Sequence, residues 1–292
     1  MERIVAQAQD GLSIVASLHD SPSPSTPIVL LHGLSQQRDY WLPTIRRLRF
    51  GPVLAVDQRG HGDSDADVTS DFSVEACASD VAALMDHVGW SKAVVVGHSW
   101  GAAVALAFAS GFPARTSTAV LIDGGLWGPR DLGDPAETRE RLRPPALGIP
   151  EEDLWNLIRQ GELGHMWSQE IHEALSPTFI RDGQGLVRTR IGMDRHMAVL
   201  DGLFEFAPLP HLDLTQAHAV ALWVLTAEPR PVASADVQGS WEDARSAGLA
   251  AVMSRPHVTT LRLMGAIHDV PLQWPSVVAG IVDQVVQSGG HA

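Results

Sequence analysis

Residues 93–109 read AVVVGHSWGAAVALAFA: an apolar run, then Gly-His-Ser-Trp-Gly, then a segment rich in alanine. Val94, Val95 and Val96, with no polar alternation, suit a strand buried on both faces. Ala102, Ala103, Val104, Ala105 and Leu106 suit a helix packed close behind it. A strand that runs straight into a helix must turn sharply. Ser99 stands at the turn, and Gly97 and Gly101 flank it, where a side chain would collide with neighbouring backbone. The spacing predicts an exposed serine hydroxyl on a strained turn, facing the free N–H groups and positive dipole end of the helix that follows.

The same alternation extends to either side. Runs at 4–9 and 12–18 surround Asp10-Gly11, a dipeptide suited to a tight turn, and predict an opening β-hairpin. After SPSPSTP come IVLLHG (28–33), a helix-like stretch near 40–48, PVLAVD (52–57), a helix over 73–88, the strand 93–96, the helix 100–110 and TAVLID (118–123). Continuous apolar strands with helical crossovers predict an α/β fold whose mostly parallel sheet carries helices on both faces. From residue 124 the pattern breaks into Gly, Pro and Arg, and for about ninety residues no buried strand appears, too long for a bare loop. EEDLWNLIRQ and HMWSQEIHEAL within it are amphipathic and predict a small helical cap over the sheet. Alternation resumes with AVALWVLTA (219–227), a helix over 240–253, VTTLRL (258–263) and a closing helix after Pro275. The expected division is a core of residues 1–125 and 215–292 with a helical cap at 126–214.

With 292 residues, 45% of them apolar, the chain can bury one large core and a modest insertion. Its formal charge of -13, from 34 acidic and 21 basic side chains, opposes nucleic-acid and anionic membrane partners. Arg46, Arg47 and Arg49, and Arg139, Arg141 and Arg143, have spacings that suit solvated faces. The single cysteine, Cys77, excludes an intramolecular disulfide framework and suggests a small buried hydrophobe. The first twenty residues lack a basic start followed by an apolar block, and no apolar run approaches bilayer length; a cytoplasmic location is expected. DQRGHGDS holds one histidine rather than a cluster of metal ligands, and no phosphate-cradling or dinucleotide glycine pattern occurs, so neither metal nor cofactor is expected.

A serine hydroxyl is a poor nucleophile until a base takes its proton. Among thirteen histidines, His268 follows the last predicted strand and precedes the final helix, which puts it on the same sheet edge as Ser99. His32, His61 and His98 sit in tight glycine-containing turns and are expected to bond backbone. The insertion carries Trp127, Trp155, Met166, Trp167, Met193, Met197, Phe204 and Phe206. Together they predict a hydrophobic cleft between cap and core, with Trp127, Trp155, Trp167 and Met197 as candidate pocket residues.

Four motifs in order, LLHGLSQQRDYW (30–41), DQRGHGDSD (57–65), GHSWG (97–101) and GAIHDVPLQWP (265–275), make the chain resemble the α/β-hydrolase fold superfamily. The resemblance implies an eight-stranded, mostly parallel sheet, a cap inserted after the sixth strand, and a serine, acid, histidine triad in that chain order. His268 matches the base position, although Ile267 stands where the family often has glycine. The resemblance further implies two backbone N–H donors for an oxyanion, from Trp100 and Leu34. Two positions compete for the acid. The common one, beyond the seventh strand, falls on Arg230 in LTAEPRP, with Glu228 two residues early; the other, at the end of the sixth strand, is Asp123 in VLIDGG. Asp123 is favoured and Glu228 stays open, while Asp269, beside the base, would point the wrong way. The expected activity is cofactor-free hydrolysis of a carboxylic ester or lactone with a hydrophobic substituent, through Ser99, His268 and Asp123. C–C bond hydrolysis, lyase or perhydrolase chemistry on the same fold, and a low-turnover ligand receptor, remain alternatives, and a second copy of the chain remains open as a partner.

Overall fold

The computed structural model describes residues 1–21, 23, 25–228 and 238–289. Arg230, the position on which the common acid site would fall, lies outside them. The opening hairpin pairs β1 (Glu2–Gln7) antiparallel with β2 (Ser13–His19) around Gly11 at φ 86°. Then follow β3 (Ile28–Leu31), α1 (Leu42–Ile45), β4 (Val53–Asp57), α2 (Val74–His87), β5 (Ala93–His98), α3 (Trp100–Gly111) and β6 (Thr116–Ile122). Between β6 and the next strand of the main sheet lie α4 (Pro135–Arg141), α5 (Glu151–Gln160), α6 (Gln169–Leu175), the short hairpin β7 (Phe179–Arg181) and β8 (Val187–Thr189), α7 (Met193–Glu205) and α8 (Pro208–Ala217). The chain closes with β9 (Ala221–Glu228), α9 (Gln238–Met253), β10 (Val258–Met264), α10 (Val270–Gln273) and α11 (Pro275–Gly289).

Eight strands form one sheet in the order β1-β2-β4-β3-β5-β6-β9-β10, parallel from β4 to β10. Strands β3, β4 and β5 are buried along their whole length, and their side chains alternate between two cores. Val29, Leu31, Leu54 and Val95 pack with α2, α3 and α8 on one face. Ile28, Leu30, Val53 and Val94 pack with Val278, Val282 and Val285 of α11 on the other. Burial on both faces explains why these strands read as unbroken apolar runs.

The parallel registers align the strand ends that matter. Leu31 pairs with Gly97, His98 with Ile122, and Ile122 with Leu225. The C-terminal ends of β3, β5, β6 and β9 therefore lie on one edge of the sheet, and the turns after β3, β5 and β6 open there.

The insertion differs from the sequence pattern in two respects. The hairpin β7–β8 has no counterpart in that pattern; its turn is built by Asp182, whose Oδ1 accepts the N–H groups of Gln184 (2.9 Å) and Leu186 (3.0 Å), and by Gly185 at φ 80°. Helix α8 runs across the boundary expected at residue 214, and its Leu212 is buried in the core shared with α3. Cys77 is buried in α2. The basic clusters are met by carboxylates: Arg46 by Glu173 (2.9 Å), Arg47 by Glu170 (2.8 Å), Arg139 by Asp201 (2.6 Å). Among the described residues no helix is long and apolar enough to cross a membrane, and no three His, Cys, Asp or Glu side chains are grouped to hold a metal ion.

Candidate active site

Ser99 joins β5 to α3 with φ 54° and ψ -119°, a backbone conformation that a non-glycine residue holds only when its surroundings enforce it. The enforcement is visible. Ser99 N–H donates to Ile122 O (2.9 Å), and Ser99 O accepts from Ala102 N–H (3.0 Å). A Cβ at Gly97 would sink into the backbone of Gly101, and one at Gly101 into the carbonyl of Leu31, so both glycines are required by close backbone approach. Trp100 is the first residue of α3, so its N–H has no partner within the helix.

His268 lies on the turn between β10 and α10. Its Nε2 is 3.0 Å from Ser99 Oγ, and its Nδ1 is 2.6 Å from Asp123 Oδ2. Asp123 directly follows β6 with φ 45°, and its N–H donates to Leu225 O at 2.8 Å. Its second oxygen, Oδ1, accepts the Ala227 N–H (3.0 Å) and lies 3.9 Å from Nε of Arg245 on α9. Burial would raise this carboxyl, but the His268 hydrogen bond and charge, the Ala227 N–H and Arg245 together hold it below the usual range. Desolvation pulls His268 down, and the hydrogen bond and charge of Asp123, with the charge of Asp269, outweigh it; the imidazole is raised above its ordinary value.

Of the two acid candidates, only Asp123 touches His268. Glu228, at the end of β9, pairs with Arg262 of β10 at 3.0 Å. Asp269 turns away from the base and accepts the Tyr40 hydroxyl at 3.0 Å. Sequence reasoning missed Tyr40 and the use made of His98, whose Nε2–H donates to the carbonyl of His268 at 2.8 Å while its ring stacks on Tyr40. Two hydrogen bonds thus pin residues 268 and 269. His98 is buried and neutral, pushed down to about 4 first by desolvation and then by the nearby His268.

The other turn histidines bond backbone as expected. His32 Nδ1–H donates to Gly33 O (2.8 Å), and its Nε2 accepts from Gln58 N–H (3.2 Å). His61 Nδ1–H donates to Arg59 O (3.0 Å). In DQRGHGDSD, Arg59 forms a buried fork on Asp80, with both contacts at 2.7 Å, and Asp57 accepts the Arg38 and Asp63 N–H groups at 2.8 Å each. This turn is scaffolding for the loop beside it.

Leu34 follows β3 on the facing loop, and among the described residues its N–H donates to no protein acceptor. A Cβ at the preceding Gly33 would press on Ser99 Cβ at 3.2 Å, so the loop lies directly against the serine. The four pocket candidates do not share one wall. Met197 packs with Leu200 and Phe204 against Leu34. Trp155 and Trp167 pack on each other and on His172, with Phe179 against Trp155, as the core of the insertion itself. Trp127 belongs to the α3 face of the sheet and lies under Gly248 of α9. A surface cleft of about 340 Å³ opens elsewhere, lined by Met166, Ile171, Leu272 and Trp274, and includes none of Ser99, Asp123, His268 or Leu34.

A serine on a forced turn, within hydrogen-bond reach of a histidine that also bonds a buried aspartate, stands at the C-terminal edge of this sheet order. The chain has the α/β-hydrolase fold. A family model described as alpha/beta hydrolase fold matches residues 26–167. A soluble epoxide hydrolase of Corynebacterium sp. (strain C12) is 44% identical over 85 residues, 28% of this chain and 29% of that one. Lipase LipV of Mycobacterium tuberculosis is 34% identical over 165 residues, 49% of this chain and 62% of that one. These matches thus span 29% and 62% of the two relatives' own lengths. An E-2-(acetamidomethylene)succinate hydrolase structure superposes with a TM-score of 0.76 at 18% identity, covering 98% of this chain and 100% of that one, a likeness of fold.

Proposed function

We propose that this α/β-hydrolase cleaves a carboxylic ester or lactone with an apolar substituent, using Ser99 as nucleophile, His268 as general base and acid, and Asp123 as the group that orients it. The observation that carries the reading is the unbroken path from Ser99 Oγ through the His268 ring to Asp123. In the first step His268 Nε2 takes the hydroxyl proton as Ser99 Oγ bonds to the carbonyl carbon. Asp123 stabilises the imidazolium without taking its proton. The N–H groups of Trp100 and Leu34 receive the negative oxygen, as an oxyanion site requires. The intermediate then collapses: the C–O bond to the alcohol breaks, His268 returns the proton to that oxygen, and Ser99 is left acylated. Water, deprotonated by the same imidazole, repeats the sequence and releases the acid.

Serine chemistry separates this reading from epoxide opening, the activity in one relative's name. A serine alkoxide that opened an epoxide would be left as an ether, with no carbonyl for water to attack. Ser99 suits acyl transfer. The insertion over residues 126–214 is taken as the lid that selects the substrate, with Met197, packed against Leu34, on the serine side and Trp127, Trp155 and Trp167 in support. The test is hydrolysis of p-nitrophenyl esters of increasing chain length by the parent protein and by Ser99→Ala, with fluorophosphonate labelling traced to the modified residue. Turnover that survives in Ser99→Ala at the parent rate overturns the proposal.

A further inference from the structure

Helix α7 places Met193, His196, Met197, Leu200 and Phe204 at steps of three and four residues, along one face. Four of these are apolar, and Met197, Leu200 and Phe204 pack against Leu34. His196 is the polar exception on the stripe, 8% exposed. Desolvation pushes its imidazole down to about 4, so it is neutral at pH 7. A buried neutral imidazole still needs a hydrogen-bond partner. It finds one 161 positions earlier, the Ser35 hydroxyl, at 2.6 Å from Nδ1.

Ser35 is the residue after Leu34, and its φ of 67° is in the left-handed region that serine rarely occupies. Such a conformation persists only where neighbours hold it. Here two histidines do so. Ser35 N–H donates to His61 Nε2 at 3.2 Å, and the His61 ring stacks on Trp100 with centroids 5.0 Å apart. Ser35 Oγ bonds His196. The turn bearing one candidate oxyanion donor is therefore tied to the residue bearing the other, and both are tied to α7.

We propose that His196 is a positioning residue for oxyanion stabilisation: through Ser35 it holds the Leu34 N–H in place beside Ser99, so that the active geometry forms only when α7 is seated. This role rests on the ester-hydrolase reading above and adds to it a defined part for the insertion. His196 touches neither Ser99 nor His268. Its effect passes through backbone, and it acts on a charge that exists only during reaction.

The experiment compares Ser35→Ala, His196→Ala, the double variant and His196→Asn on a p-nitrophenyl ester, with thermal melting of each. A displaced oxyanion donor weakens transition-state binding selectively, so each single variant is expected to lose about tenfold or more in kcat with KM nearly unchanged. Because both remove one shared bond, the double variant should lose no more than either single one. Asn places an amide oxygen or nitrogen where Nδ1 stood, so His196→Asn should recover most of the rate. Phosphonylation of Ser99 by a fluorophosphonate, whose phosphoryl oxygen takes the oxyanion's place, should slow in parallel. Parent-level kcat in Ser35→Ala or His196→Ala, with only the melting temperature lowered, overturns the role, as does a double variant whose losses multiply. A parent protein that neither hydrolyses esters nor is labelled at Ser99 overturns the hydrolase reading and this role with it, an outcome distinct from an active parent with unaffected variants.

Discussion

Asp123 and His268 are hydrogen-bonded at 2.6 Å although 145 positions separate them. The contact exists because β6 and β10 both end at the same sheet edge, and because Asp123 adopts φ 45° as the chain leaves β6. Its other oxygen is occupied by the Ala227 N–H, which leaves one oxygen aimed at the imidazole. Replacing Asp123 by Asn keeps the shape and removes the charge that fixes the tautomer; kcat on a p-nitrophenyl ester is expected to fall by about 10⁴-fold. Glu228 is engaged by Arg262 instead, so Glu228→Gln should stay within about twofold of the parent, as for a surface substitution. The reverse pattern would assign the acid to Glu228.

The pH profile follows from the charges around His268. In the proposed reaction the working form is the neutral imidazole, and Asp123 and Asp269 favour the protonated one, so kcat/KM should rise with pH through an inflection above about 6.5. Arg245, 3.9 Å from Asp123, opposes the imidazolium. Its removal in Arg245→Met leaves Asp123 free to stabilise the positive ring, so the inflection should move to higher pH. A move to lower pH would contradict this electrostatic role.

What could be read from the sequence here follows the range of the forces involved. The turn at Ser99 is local: Gly97, Gly101 and the flanking apolar runs specify it within residues 94–106, and the structure reproduces it. Which of Asp123 and Glu228 lies beside His268 depends on cross-strand register, because the side chain that engages Glu228 is Arg262 on β10, a pairing no single-strand pattern reveals. Trp155 and Trp167 illustrate a different gap. Large aromatic side chains signal burial, but composition does not say against what, and the insertion uses both to fill its own interior. His196 did leave a trace, a lone histidine on an otherwise apolar helical stripe, but its partner Ser35 could not be inferred without the fold.

Gly124 shows how closely the turn bearing Asp123 approaches the serine. A Cβ there would overlap the carbonyl of Ser99, so Gly124→Ala must push one turn off the other. Overpacking of this kind costs about 1–3 kcal/mol. A displacement of Ser99 by as little as about 1 Å can cost 10²-fold in rate. The expected result is a lowered melting temperature with a larger loss in kcat than in KM. Gly128→Ala is the control: at that position the nearest atom, Leu203 O, is 3.9 Å away and φ is -154°, so stability and rate should both be retained.

His32, His61, His98 and His196 are buried and neutral, each pushed below the ordinary imidazole value mainly by desolvation, the last three to about 4. In the unfolded chain each takes up a proton below about 6.5. Between these limits the unfolded state binds more protons, so stability falls as pH is lowered, by up to about 1.4 kcal/mol per pH unit for each histidine. His268 acts with the opposite sign: its raised value means that the folded state binds a proton first, and its contribution, present at low pH, is lost as pH rises through that value. His19 and His257 are lowered by desolvation as well, and six such imidazoles against one raised leave a net loss on acidification. Urea unfolding at pH 7, 6 and 5 should show the midpoint falling at each step, with His196→Asn reducing the slope by one proton. A midpoint that held steady from pH 7 to 5 would mean that these imidazoles are already protonated in the folded chain.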